Sequence, residues 1–373
     1  MNESLDEPDA RPTTGRVGVI GLGLIGGSVG LCLRGLGWTV VGADRDPARC
    51  ADALDVGAVD EIVEIASMGS TDLVVVATPV GIIAEVVAAA LEAGAPVVTD
   101  VGSVKGAVAA AITDPRFVPG HPMAGSEHEG VRGARPDLFH GAVWVLSPSA
   151  TTADDAFAAV RAMVASMGAD VATLDADAHD RLVAVVSHVP HLAAVTLMSV
   201  AEGRSVEHRA LQRLAAGGFR DMTRIAAGHP GIWPDICAAN AEAICEALDE
   251  VISRLGAIRV QVADGRRDEL LATLQRARAA RIALPTGVPR DVDLAEVRIP
   301  VTDRPGELAD ITRLATDIDV NIYDLEIAHS AERSGGVLIV IVAAAIGERL
   351  VGALMANGYR PSIRPLTDAE DLS

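Results

Sequence analysis

From Val17 to about Asp175, short and nearly unbroken apolar runs alternate with helical patterns. The runs are VGVIGLG, TVVGAD, DLVVVAT, PVVTDV, RFVPGH, AVWVLSP and DVATLD. Runs that are apolar at nearly every position are expected of strands buried on both faces. Segments with helical spacing, such as 27–36 and 82–93, lie between most of them. The alternation predicts a parallel sheet covered by helices. The most apolar stretch, 73–98, is interrupted by Pro79, Glu85, Glu92 and Pro96, so it reads as strand–helix–strand and not as a membrane span.

The pattern changes at about His179 and stays helical to Ala283. Ile244, Leu248, Val251, Leu255 and Ile258 recur every three or four residues, an apolar stripe along one long helix. Asp264-Gly265 reads as its end, and 268–282 as a further helix. Two uses of such helices stay open: the core of a dimer, or a cap on the chain's own first domain. The stretch LPTGVPRDVD has the composition of a linker. Beyond it, AEVRIPVTD, NIYDLEIAH, GGVLIVIVAA and YRPSIRPL read as strands, with helices at ELADITRLATD and IGERLVGALMANG. That order, βαββαβ, is the ferredoxin-like pattern. The expected plan is a tail over 1–15, a parallel-sheet domain over 16–176, an all-helical domain over 177–283, a linker over 284–293 and a small α/β domain over 294–368.

Composition excludes several classes. A net charge of −20 argues against non-specific binding to nucleic acid or an anionic membrane, and 2% aromatic content leaves little for base stacking. Cys32, Cys50, Cys237 and Cys245 form no C-x-x-C pair, so no metal site is expected, and free thiols suit a reducing cytoplasm. The acidic, polar start lacks the regions of a signal peptide and reads as a disordered tail.

The clearest motif follows the first strand. Gly21-Leu22-Gly23-Leu24-Ile25-Gly26 is a G-x-G-x-x-G that opens a helix. Gly21 permits the tight turn, Gly23 lets backbone approach a pyrophosphate, and Gly26 lets helix and strand pack closely. The N–H groups that open the helix, at Leu24 and Ile25 among others, would face the phosphates. A second strand ends in Asp44, placed to accept hydrogen bonds from ribose hydroxyls and to repel a 2′-phosphate. This is a Rossmann-type signature that favours NAD, although the adjacent Arg45 leaves NADP open. Thr78 and Pro79, after the run DLVVVAT, are counted with the cofactor-binding residues.

Ligands of open α/β sheets bind beyond the carboxyl ends of strands. Ser103 and His121 both follow predicted strands there, and a histidine near neutral pKa can take a hydroxyl proton as hydride leaves. His188, His191 and Arg224 stand in the helical region, where packing or an internal pair with Asp221 would also explain them.

Taken together, GLGLIGGS, TDVGSVK, GHPMAGSE, VVSHVPH and GGFRDMTRIA resemble the prephenate/arogenate dehydrogenase family of tyrosine biosynthesis. They occur in the family's order within residues 17–283. The resemblance implies an oxidative decarboxylation in which the ring carbon bearing the hydroxyl gives hydride to NAD, carbon dioxide leaves and the ring becomes aromatic. Prephenate would give 4-hydroxyphenylpyruvate; arogenate, the alternative substrate, would give L-tyrosine. By resemblance, His121 accepts the hydroxyl proton and Ser103 positions His121 and the nicotinamide. Arg224 binds a substrate carboxylate, His191 contacts the side chain and Trp233 lines the pocket. Ser126, Glu127 and Ser187 join the substrate set; Glu127 would meet arogenate's ammonium or pair with pocket cations. The last domain looks like an ACT domain, a regulatory module of some members. Its expected effector is L-tyrosine, at Asp303, Gly306 and Asn321, with assembly alone as the other reading. A cytoplasmic homodimer is the expected form.

Overall fold

A computed structural model describes residues 15–126, 128–205, 217–282, 293–302, 304, 306–329 and 335–366. The predicted tail up to residue 14, Glu127, Asp303 and nearly all of the predicted linker lie outside the described residues. The chain divides into two compact units, residues 1–208 with 222–252, and residues 209–221 with 253–373.

The first unit is built on a parallel sheet of β1 (Arg16–Ile20), β2 (Thr39–Ala43), β3 (Glu61–Ile62), β4 (Leu73–Val76), β5 (Val98–Asp100) and β6 (Phe117–Val118), in the order β3-β2-β1-β4-β5-β6. Its strands are apolar on both sides because both sides are covered. Val17, Val19, Val40 and Val75 face one buried cluster, while Ile20, Val41, Val74 and Val76 face the other. Helices α1 (Leu24–Gly35), α2 (Pro47–Asp55), α3 (Ile83–Glu92) and α4 (Gly106–Ala111) are the connections between its strands. The strand order reverses between β1 and β4, where an open sheet of this kind offers a crevice for a ligand.

Two details depart from the expected single sheet. β3 is only two residues long and carries no apolar run, so the pattern did not mark it. The run RFVPGH is not one strand: Pro119 has no N–H to give the ladder, and the chain leaves the sheet there. β6 ends before it, and β7 (Gly120–Pro122) begins a second, three-stranded sheet with β8 (Val143–Leu146) and β9 (Asp170–Thr173). β7 is antiparallel to β8, and β8 is parallel to β9. His121 therefore lies within a short strand, not after one. Trp144 and Leu146 of β8 complete the first cluster with Met163 and Val164 of α5 (Asp154–Ser166).

The helical region starts with α6 (Ala176–Val183), passes through one turn of π-helix at Ala184–His188 and continues as α7 (Val189–Ser205). This stretch is apolar and long enough by composition to cross a membrane. Its burial is inverted, however. His179, Asp180, His188 and His191 are buried, whereas Val185, Val186, Met198 and Val200 are exposed. A polar interior and an apolar exterior suit a helix that builds a site on one side and presents the other for packing.

In the second unit, β10 (Leu294–Thr302), β11 (Asp324–His329), β12 (Gly335–Ala343) and β13 (Ser362–Leu366) form an antiparallel sheet in the order β11-β12-β10-β13. Val297, Ile299, Leu338 and Val340 pack against Ile311 and Ala315 of the helix Glu307–Asp317, and Leu350 and Leu354 of the helix Ala344–Ala356. The strand expected from Asn321 begins at Asp324, so Asn321 lies in the turn before it. The striped helix runs from Ala241 to Ala263; Ile244 is buried and Leu255 exposed.

A Cβ on Gly30 of α1 would overlap the backbone oxygen of Ala58, a residue tied by its N–H to the Ala53 oxygen at 2.8 Å. Gly30→Ala is expected to lower unfolding free energy by about 1–3 kcal/mol, the usual effect of overpacking a rigid contact. Urea unfolding checks this; a loss below about 0.5 kcal/mol, within the ordinary surface range, would show that α1 shifts freely.

Candidate active site

The glycine loop sits at the reversal point between β1 and β4. Gly21 has φ 98°, a conformation natural only to glycine, and a Cβ there would strike the backbone of Ala77 and Thr78. Gly23 caps α1, and a Cβ on it would meet none of the described residues within 4 Å, so open space adjoins the loop. The first turn of α1 holds no acidic residue. The Asp44 carboxylate accepts hydrogen bonds from Leu22 N at 2.8 Å and Asp46 N at 2.9 Å, which ties the end of β2 to the loop. Thr78 Oγ1 is buried with no hydrogen-bond partner among the described residues. Exposed Pro79 follows it.

On the same carboxyl edge, β5 ends at Asp100, and its carboxylate organises the next loop. It accepts from Gly102 N at 2.9 Å and Gly120 N at 3.1 Å, and it pairs with the ammonium of Lys105, whose side chain has 0% exposure. Lys105 Nζ also donates to the Gly120 carbonyl at 2.7 Å. Burial lowers the pKa of Lys105, with the Asp100 charge opposing. These bonds fix the backbone on which His121 is carried. Ser103 is half-buried in the same loop.

His121 is buried, and its Nδ1 lies 2.8 Å from His179 Nε2, the two rings meeting edge to face. His179 Nδ1 lies 2.8 Å from Asp180 Oδ1. Asp180 also accepts the Lys105 N–H at 2.8 Å and the Gly106 N–H at 2.7 Å. Burial pushes the pKa of Asp180 up, but the hydrogen bonds from His179, Lys105 and Gly106 outweigh it and hold the carboxyl below its usual value. His121 is driven well below 6.5, first by burial and then by the Lys105 charge, with the neighbouring His179 and His188 rings adding to it.

Asn240 closes the network from the helical side, donating to the Asp180 backbone oxygen at 2.8 Å and lying 3.3 Å from His188 Nδ1. His188 Nε2 is buried without a partner among the described residues. The His191 ring stacks on Trp233 with centroids 3.6 Å apart, and burial lowers its pKa. Arg224 is exposed at the start of the turn Arg224–Ala227, which packs against α7. Ser187 is half-buried in the π-turn, and Ser126 accepts from His128 N at 2.9 Å.

The structure thus brings His121, His188, His191 and Trp233 into one connected region beside the carboxyl edge of the sheet. The hydrogen-bond partner of His121 Nδ1 is His179, which sequence reasoning did not single out. Asp100, Lys105, Asp180 and Asn240 were also missed. Asp100 and Lys105 stood inside the quoted stretch TDVGSVK, so position in a recognised segment was the available signal. Asn240 is isolated and offered none.

A nucleotide-binding crevice flanked by a buried, uncharged imidazole defines a dinucleotide-dependent dehydrogenase. The nucleotide-binding domain of prephenate dehydrogenase matches residues 29–173, starting just after the glycine loop, and the dimerization domain of prephenate dehydrogenase matches residues 175–276. Prephenate dehydrogenase of Bacillus subtilis is 31% identical over 335 residues, 85% of this chain and 89% of the relative. Cyclohexadienyl dehydrogenase of Zymomonas mobilis is 34% identical over 72% of this chain and 96% of its own. The crystal structure of prephenate dehydrogenase from Aquifex aeolicus, in complex with hydroxyphenyl propionate and NAD+, is similar with a TM-score of 0.69 and 30% identity, over 73% of this chain and 99% of that one. The chain belongs to the prephenate dehydrogenase family.

Removing the ammonium from the Asp100 pair would leave a buried carboxylate short of charge. Lys105→Met is expected to cost about 3–5 kcal/mol in denaturant unfolding. A loss under about 1 kcal/mol, typical of an exposed pair, would mean the pair is hydrated.

Proposed function

We propose that this chain is an NAD-dependent prephenate dehydrogenase that converts prephenate to 4-hydroxyphenylpyruvate in tyrosine biosynthesis. The observation that carries the reading is the buried His121 imidazole, kept uncharged beside the carboxyl edge of the nucleotide-binding sheet. A dinucleotide fits the residues present: an open glycine cradle, a helix start without acid and an orphan hydroxyl at Thr78. Asp44 supports NAD, because its carboxylate is fixed by two backbone N–H groups and would oppose a 2′-phosphate. Leu24, Ile25, Gly26 and Pro79 complete the cofactor set.

NAD, when bound, supplies the acceptor for the hydride of the carbon that bears the hydroxyl. The chain's own groups do the rest. His121 takes the hydroxyl proton as that carbon becomes a carbonyl; carbon dioxide then leaves, its bonding pair makes the ring an aromatic phenolate, and His121 returns the proton to the oxygen. Ser103 orients the reacting groups, and Arg224 holds a substrate carboxylate, a role that suits its planar fork. His191 and Trp233 form a flat stacked wall for the substrate, and Ser126, Glu127 and Ser187 complete the proposed substrate set. The name of the Zymomonas relative favours a second reading, in which arogenate is also accepted. NADH absorbance with prephenate and with arogenate, each with NAD and NADP, tests both; no turnover of prephenate with NAD would overturn the main reading.

The segment plan of 16–176, 177–283, 284–293 and 294–368 is retained as our reading, supported by the two family matches that meet near residue 174. Exposed Val185, Val186, Met198, Ile252 and Leu255 support a homodimer through the helical region. The order β11-β12-β10-β13, with Ile311 and Leu350 packed on one face, is that of a ferredoxin-like sandwich and supports an ACT domain. Gly306 caps its first helix with φ 92°, where a Cβ would meet none of the described residues within 4 Å. That turn, with Asp303 and Asn321, is our proposed site for L-tyrosine. The protein is read as cytoplasmic.

His121→Asn is expected to lower kcat about 10²–10⁴-fold with NAD binding retained. In the wild type the uncharged ring is the active form, so kcat is present at and above pH 6.5 and falls only as pH drops through the depressed pKa of His121. An acid limb at or above 6.5 in the kcat profile would remove His121 from this role. For the last domain, tyrosine titration of the full chain and of Asn321→Ala separates two outcomes. A regulatory site requires inhibition that the variant relieves, through a coupling of about 1–3 kcal/mol; identical inhibition in both would place tyrosine at the active site.

A further inference from the structure

We propose that His179 and Asp180 are positioning residues that hold His121 as its Nδ1–H tautomer, with the Nε2 lone pair bare and turned to the substrate hydroxyl. The inference rests on the reading of His121 as proton acceptor and names the groups that prepare it.

Hydrogen-bond bookkeeping carries the argument. Asp180 Oδ1 receives the Lys105 backbone N–H, and Oδ2 receives the Gly106 backbone N–H. Both partners can only donate, so both carboxylate oxygens act as acceptors. The remaining neighbour of Oδ1, His179 Nδ1 at 2.8 Å, must then donate. A neutral His179 that spends its one ring proton on Asp180 has a bare Nε2. That nitrogen lies 2.8 Å from His121 Nδ1, so His121 Nδ1 carries the proton that joins them. A neutral His121 so protonated has no hydrogen on Nε2. The ring is therefore set as an acceptor before substrate arrives, and its orientation is fixed by the same bond.

The rest of the cluster holds this chain of donors in place. Asn240 grips the Asp180 backbone oxygen, and the buried Lys105 side chain anchors the Gly120 carbonyl beside His121. As His121 takes the substrate proton, positive charge develops on its ring. It is stabilised through His179 by the Asp180 carboxylate, which accepts hydrogen bonds throughout and gains no proton itself.

The test uses the full-length protein with ¹⁵N-labelled histidine near neutral pH, read by long-range nitrogen–proton correlation. Wild type is expected to show a proton on Nδ1 of His121 and none on Nε2. His179→Asn keeps a partner for Asp180 but withdraws the acceptor from His121. It should shift the His121 proton toward Nε2 and lower kcat about 10²-fold, while KM for NAD stays within about twofold. His179→Gln offers an amide oxygen near the former Nε2 and should restore the tautomer and most of kcat. A wild-type His121 protonated on Nε2 overturns the proposal, as does a His179→Asn enzyme with unchanged kcat. The wild-type spectrum decides the matter even where a variant fails to fold. Absence of prephenate turnover by wild type would sink the functional reading instead, leaving the tautomer to be judged by the spectrum.

Discussion

The site depends on one buried carboxylate. Asp180 draws together segments 75 residues apart in sequence: the N–H groups of Lys105 and Gly106 from the nucleotide-binding sheet's own loop, and His179 from the helix that follows. An isolated carboxylate would not stay charged where Asp180 lies. It does so because three donors aim at it, and those donors fix the distance between the cofactor half of the crevice and the substrate half. The Asp100–Lys105 pair has the matching role a layer deeper, holding Gly120 and so the short strand that carries His121.

Local geometry serves this arrangement at each step. Pro119 ends β6 and lets the chain start a second sheet, which places His121 on a rigid strand instead of a loose loop. The π-turn at Ala184–His188 inserts a register change between α6 and α7, a device common at functional sites. It separates the His179–Asp180 pair on one helix from His191 on the next. The same stretch keeps its polar residues inside and Val185, Val186, Met198 and Val200 outside. By length and composition it passes for a span, yet its histidines are buried and its valines exposed, which gives a polar face with an apolar back.

Much of this was legible before any coordinates. The parallel sheet, the striped helix and the βαββαβ tail each follow from patterns that extend over many residues, and the glycine loop from the spacing of its three glycines. RFVPGH misled because its apolar character continues across the proline that breaks it. β3 was invisible because two residues carry no period. In the site, His121 and His191 stood within recognisable stretches, as did Lys105, but the partners of His121 did not. His179 sits in AHD at the start of an ordinary amphipathic helix, and Asn240 stands alone. Their roles come from proximity across long loops, and no local pattern encodes that. Ser103 was recognised with its segment, whereas His179, the neighbour of His121 Nδ1, was not.

The account stands on His121 being an uncharged acceptor at neutral pH. Its titration can be followed directly through the ring-proton signals of the full-length protein, assigned by comparison with His121→Asn. Burial and the Lys105 charge, with the His179 and His188 rings close by, predict a midpoint well below 6.5, with one ring nitrogen bare throughout the neutral range. A midpoint at or above 6.5 would mean that burial and Lys105 do not depress the ring, and would contradict the account.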